Sequence, residues 1–291
     1  MTTIQSRDGT AIAFEKSGAG SPVILVDGAL CYRASRPARP LAALLAEHFT
    51  VYTYDRRGRG ESGDTPPYAI EREVEDIEAL VEEAGGSACL YGISSGAVLA
   101  LEAANRIPGV TRLGLYEAPL IVDDSRPAMG AAYVQDLNEH LASGRRGDAV
   151  RLFMRQVGVP APIVALMRFM PTWKKLKAVA HTLAYDADVM GDTQSGRSLP
   201  VERWAGVTIP TLAIVGGKSP TWLHNGMRAL ADVLPDAQHR VLEGQTHMVK
   251  PKALAPPLRE FFSAGEGQRA VQPRSIVSGT PVMARPPGPR T

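Results

Sequence analysis

The sequence predicts an α/β fold: a mostly parallel central sheet, helices on both faces, and a helical insertion past its middle. Three observations predict it. Continuous apolar runs such as VILVD, of the kind found in strands buried on both faces, alternate with longer segments whose apolar residues recur at helical spacing. This alternation stops between residues 118 and 205, where only helical patterns occur, and then resumes. The composition, 44% apolar and 21% charged over 291 residues, is that of a globular chain able to bury a large core unaided.

Along the chain, TTIQSR and TAIAFEKS are short alternating runs on either side of Asp8-Gly9, a hairpin signal. VILVD (23–27) and TVYTYD (50–55) read as buried strands, with a helix over 38–48 between them. Ile70, Val74, Ile77, Leu80 and Val81 then share one face of an amphipathic helix that Gly85-Gly86 ends. SACLYGI (87–93) is a strand leading into the helix-forming SGAVLALEAANR, and VTRLGLYE (110–117) is the next strand. After the insertion come a strand in TIPTLAIVGG (208–217), a helix through MRALADVL, a strand in AQHRVLEG (237–244) and a helix ending REFF.

The expected organisation is a core of residues 1–117 and 206–263, a helical cap over 118–205 and a disordered tail over 264–291. An 88-residue insertion has to fold on its own account, since structureless loops of such length are uncommon. Five of the nine methionines (Met129, Met154, Met167, Met170, Met190) lie in it beside Phe153, Phe169 and Trp173. They either pack the cap against itself and the core or roof a substrate with adaptable apolar surface. The tail carries four arginines against one glutamate, so the rest of the chain holds 28 basic against 29 acidic residues. A near-neutral body argues against nucleic-acid binding. The N-terminus shows no signal-peptide pattern and no run approaches the roughly 18 apolar residues of a membrane span, so a cytoplasmic protein with no membrane partner is expected. Cys31 and Cys89 have no disulfide or metal-site spacing and are expected to be reduced. Gly18-Ala19-Gly20 precedes a strand where a dinucleotide site would follow one, and phosphate-loop, zinc-helix and Cys-x-x-Cys motifs are absent from the sequence. No cofactor or metal is implied; a small-molecule substrate is.

The chemistry centres on Gly92-Ile93-Ser94-Ser95-Gly96, which fits Gly-x-Ser-x-Gly between a strand and a helix. There Ser94 sits at the apex of a sharp turn as a candidate nucleophile. Ser95, in the first helical turn, offers its backbone N–H near a helix N-terminus that favours negative charge. Ser94 as an ordinary helix cap is the plainer alternative.

VILVD followed by Gly28-Ala29, the turn Asp55-Arg56-Arg57-Gly58-Arg59-Gly60-Glu61-Ser62-Gly63, the serine turn, the insertion and a late histidine together resemble the α/β-hydrolase superfamily over residues 1–263. That resemblance implies an α/β-hydrolase fold. It implies a second oxyanion-hole N–H from Ala29, in a loop that reads Asp27-Gly28 where His-Gly is frequent. It makes the arginines of the 56–63 turn structural. Of six histidines, His48 and His224 fall in helical patterns, His140 and His181 in the cap, and His239 in a strand-like run. His247, in the loop EGQTHMVKP after the last strand, stands where the family carries its general base.

The family's usual acid is missing: after TLAIVGG come Lys218-Ser219-Pro220. In the serine-protease reference case, disabling the group that orients the histidine costs about 10⁴ in turnover, so a substitute is expected. Glu117, at the end of VTRLGLYE, is the candidate, because some branches of the family place their acid after this strand. Otherwise it pairs with an arginine or caps the insertion. Asp123 and Asp124 are the fallback acids. The leading expectation is a serine hydrolase of an ester, thioester or lactone of a small apolar substrate. The alternatives are a non-hydrolytic enzyme of the same fold (carbon–carbon cleavage, decarboxylation or cyclisation) and a non-catalytic ligand-binding module.

Overall fold

The computed structural model describes residues 2–35 and 38–264, so the expected tail lies outside the described residues except for Ala264. Eight strands form one sheet: β1 (Thr2–Gln5), β2 (Ala11–Ser17), β3 (Pro22–Val26), β4 (Thr50–Tyr54), β5 (Ala88–Ile93), β6 (Val110–Tyr116), β7 (Thr211–Gly216) and β8 (Ala237–Leu242). Their spatial order is β1-β2-β4-β3-β5-β6-β7-β8, antiparallel from β1 to β4 and parallel from there on. The hairpin at Asp8-Gly9 supplies the antiparallel edge.

The buried strands owe their apolar runs to helices on both faces. Val23 and Leu25 of β3 point to one side, against α1 (Arg39–Leu45) and α10 (Pro251–Ser263). Ile24 and Val26 point to the other, against α2 (Ile70–Glu83), α3 (Ser95–Ala104) and α9 (Thr221–Val233). Every residue of α3 is buried, which is why SGAVLALEAA lacks a polar face.

Between β6 and β7 lie α4 (Ala131–Ala142), α5 (Arg146–Gln156), α6 (Ala161–Met167), α7 (Pro171–Ala178) and α8 (Thr182–Met190), with no strand among the described residues. The run IVALMRFM leaves the helix after Met167, and Pro171 starts α7 at its N1 position, where the missing N–H costs nothing. No helix among the described residues is long and apolar enough to cross a membrane.

Candidate active site

The candidate residues gather at the carboxyl ends of β3, β5, β6, β7 and β8, the edge where parallel sheets place their ligands. Ser94 joins β5 to α3 with φ 59° and ψ −131°, a strained conformation for a residue with a Cβ. It does not act as a cap, for its side chain makes no capping hydrogen bond. Small neighbours make the turn possible. A Cβ on Gly96 would lie 2.5 Å from the Asp27 carbonyl oxygen, and one on Gly28 would lie 2.9 Å from the Ser94 Cβ. The Ser94 N–H donates to the Tyr116 carbonyl at 3.0 Å, tying the turn to the end of β6.

Glu117 follows directly, its φ of 46° swinging it out of β6. Its Oε2 lies 2.8 Å from His247 Nδ1. Its Oε1 accepts from the Gly216 N–H at 2.7 Å and from the Ser219 hydroxyl at 2.5 Å. Burial of Glu117 opposes its charge. The bonds from His247, Ser219 and Gly216 outweigh that and hold its carboxyl below the ordinary glutamate range. Pairing with an arginine, one of the other expectations for Glu117, is not found among the described residues, and Asp123 and Asp124 are not brought to the histidine. Asp123 bonds Ser125 and the Asn225 amide, and Asp124 is exposed. In a neutral imidazole, an Nδ1–H directed at the carboxylate leaves the lone pair on Nε2. The loop carrying His247 is fixed by the Tyr116 hydroxyl, donating to the Thr246 carbonyl at 2.7 Å, and by the Lys218 N–H on the Gln245 carbonyl at 2.8 Å.

Ala29 lines the same cavity as Ser94, Ser95 and His247. The carbonyl of Gly28, in the same peptide unit as the Ala29 N–H, accepts from Arg59 Nη1 at 2.7 Å. Because a trans peptide directs C=O and N–H to opposite sides, Arg59 aims the Ala29 N–H away from itself.

The arginines of the 56–63 turn are buried in ion pairs. Arg56 grips Glu73 with both Nε and Nη2, at 2.7 and 2.6 Å, and Arg57 grips Asp76 likewise at 2.8 and 2.7 Å. Arg56 and Arg59 also hold the two oxygens of Asp186, at 2.8 and 2.7 Å. Burial opposes the charge of Asp186; Arg59 and Arg56 prevail and keep its carboxyl below the ordinary range. For Asp27 burial prevails over the same two arginines and pushes the pKa up to about 7.

A sequence model of the alpha/beta hydrolase family matches residues 17–256. The chain belongs to this family. A solved alpha/beta hydrolase from Sphaerobacter thermophilus is 53% identical, with a TM-score of 0.82 over 90% of this chain and 100% of that one. A thermophilic esterase from Thermogutta terrifontis is 23% identical, with a TM-score of 0.62 over 93% of this chain and 98% of that one. An enol-lactonase from Burkholderia xenovorans is 22% identical, with a TM-score of 0.65 over 90% of this chain and 100% of that one. The last two share the hydrolase fold.

In this hydrolase fold the cavity measures about 210 Å³, small for a ligand pocket. The methionines divide. Met129 and Met190 line it with Phe153, whereas Met154 and Met167 pack within the insertion and Met170 is 48% exposed. Phe169 is exposed and Trp173 is buried away from the cavity, among Val150, Val164 and Ala180. Two charged lining residues had no place in the sequence reading. Asp186, on α8, accepts the Ser95 hydroxyl at 2.7 Å, giving that serine a side-chain tie besides its backbone position. The available signal was an acid in helical step with the buried Leu183 and Met190. Arg126, between β6 and α4, stacks on Trp222 with 4.4 Å from Cζ to the ring centroid. No sequence pattern marks it.

Proposed function

We propose that the protein is a serine hydrolase cleaving an ester, thioester or lactone through an acyl-enzyme. The observation carrying this reading is the 2.8 Å contact between Glu117 and His247 Nδ1, in a cavity that Ser94 and His247 both line. Ser94 Oγ attacks the carbonyl carbon while His247 Nε2 takes its proton, and the N–H groups of Ala29 and Ser95 receive the oxyanion. Each such donor contributes roughly 10²- to 10³-fold in rate. His247 then returns the proton to the leaving oxygen or sulfur, and a water activated the same way releases the acid. Glu117 stabilises the imidazolium through both steps. Hydrogen bonds of this kind are often long in the unliganded enzyme and tighten with substrate. The helical insertion acts as a cap, with Met129, Phe153 and Met190 excluding water.

A fluorophosphonate probe tests this. Folded wild type is expected to be labelled at Ser94, and Ser94→Ala to be neither labelled nor active on p-nitrophenyl esters. Full turnover by Ser94→Ala would defeat the proposal and favour acid/base chemistry by His247 alone. Retention of ligand by a wild type without turnover would favour a binding module.

A further inference from the structure

Arg126 is the one lining residue of the cavity whose charge is unanswered among the described residues. Asp186 is held by Arg56 and Arg59, and His247 faces Glu117. Arg126 has Trp222 under its guanidinium plane and one hydrogen bond, from Nη2 to the Gln156 carbonyl at 2.5 Å. A guanidinium carries five N–H donors in a planar fork, so most remain available. Neither acid next to it in sequence pairs with it among the described residues: Asp123 holds Ser125 and Asn225, and Asp124 is exposed. The site is half-buried, and burial works against the charge. A cation kept in that position, beside apolar walls of Met129, Phe153, Val157 and Leu223, is completed by an anion brought from outside.

We propose that Arg126 receives a carboxylate of the substrate, so that the cavity takes a small ester, thioester or lactone whose acyl part has an apolar middle and an anionic end. The reaction named here rests on the serine-hydrolase reading, whereas the anion site rests on the surroundings of Arg126. A single planar guanidinium matches the two oxygens of a carboxylate, and the cavity of about 210 Å³ suits a short chain. The stacking on Trp222 fixes the plane of the fork, so orientation as well as charge is specified.

The experiment compares p-nitrophenyl glutarate, with its free carboxylate, against its neutral methyl ester. The readout is the ratio of their kcat/KM values in wild type, Arg126→Met and Arg126→Lys. Wild type is expected to prefer the acid, and Arg126→Met to lower the ratio about 10- to 100-fold, with Arg126→Lys between. Being a ratio, it is insensitive to any shared loss of folded enzyme. Binding of monomethyl glutarate to Ser94→Ala, with and without Arg126→Met, provides a readout without turnover and is expected to disappear in the double variant. An unchanged ratio, or binding that survives loss of Arg126, overturns the anion site. Ser94-dependent cleavage with no preference for the acid overturns it alone and leaves the hydrolase reading standing. Arg126-dependent binding by a protein that cleaves neither ester does the reverse, and failure of both cleavage and binding overturns both.

Discussion

The ends of β6 and β7 lie side by side at the candidate site, and under the proposed mechanism they share one task. The end of β7, Gly216 to Ser219, carries no carboxylate, yet supplies an N–H and a hydroxyl. The end of β6 carries Glu117, which those two donors hold while its other oxygen meets His247. In the proposed mechanism the acid stands at the end of β6, and the end of β7 supports it. A strand end without a charge can therefore take part in a charge network, provided it donates hydrogen bonds.

The largest expected effect breaks the comparison outright. Glu117→Gln keeps the shape and removes the charge, and kcat/KM is expected to fall about 10³- to 10⁴-fold in steady-state assays at pH 8. A loss under about tenfold would show that β6 does not carry the acid. Adding Ser219→Asp to Glu117→Gln returns the carboxylate to β7, and at least about tenfold of the lost rate is expected back. Ser219→Asp alone is expected to impair the enzyme, because two carboxylates then share one site. A double variant no faster than Glu117→Gln would mean that the two strand ends are not interchangeable.

A third strand end sharpens the point, since at Asp27 after β3 burial outweighs the charges of Arg59 and Arg56. Its folded pKa of about 7 exceeds the unfolded value of about 3.9, so the folded state holds a proton that the unfolded chain has lost. Stability therefore falls as pH rises from about 4 to 7, and the cost is fully present above that range. Asp27→Asn is expected to gain on the order of 3 kcal/mol in urea unfolding at pH 8, shrinking to nothing near pH 4.

Glu117 has the opposite sign. Its lowered pKa stabilises the fold above the ordinary glutamate range, and this contribution disappears as pH falls through the folded value. Ser219→Ala, the smallest change, removes one donor to that carboxylate. It is expected to cost about 1–2 kcal/mol at neutral pH and progressively less as Glu117 protonates, which unfolding curves at pH 7 and pH 3 would separate.

The strand ends were also where the sequence was most readable. The alternation of apolar runs and helical spacing located every strand, because two-sided burial leaves an unmistakable run in VILVD and TLAIVGG. Gly-x-Ser-x-Gly marked Ser94, since only small residues allow the backbone of α3 to approach β3 so closely. Glu117 followed from an absence, the carboxylate missing after β7. The insertion was readable as helices and no further. Which methionines roof the cavity depends on how α4 to α8 pack, and periodicity does not encode the direction of one helix against another. Asp186 and Arg126 were lost for the same reason: each acts on groups far from it in sequence, and neither sits in a local pattern.

Asp186 also limits how the cavity can breathe. It sits on α8, inside the insertion, yet both its oxygens are taken by Arg56 and Arg59 and one also by Ser95, the residue next to Ser94. Lifting α8 from the sheet would break both ion pairs and the Ser95 hydrogen bond together, so this network ties α8 to the core. A rearrangement that admits a ligand is therefore expected to spare α8. One carboxylate thus joins the insertion, the 56–59 turn and the start of α3.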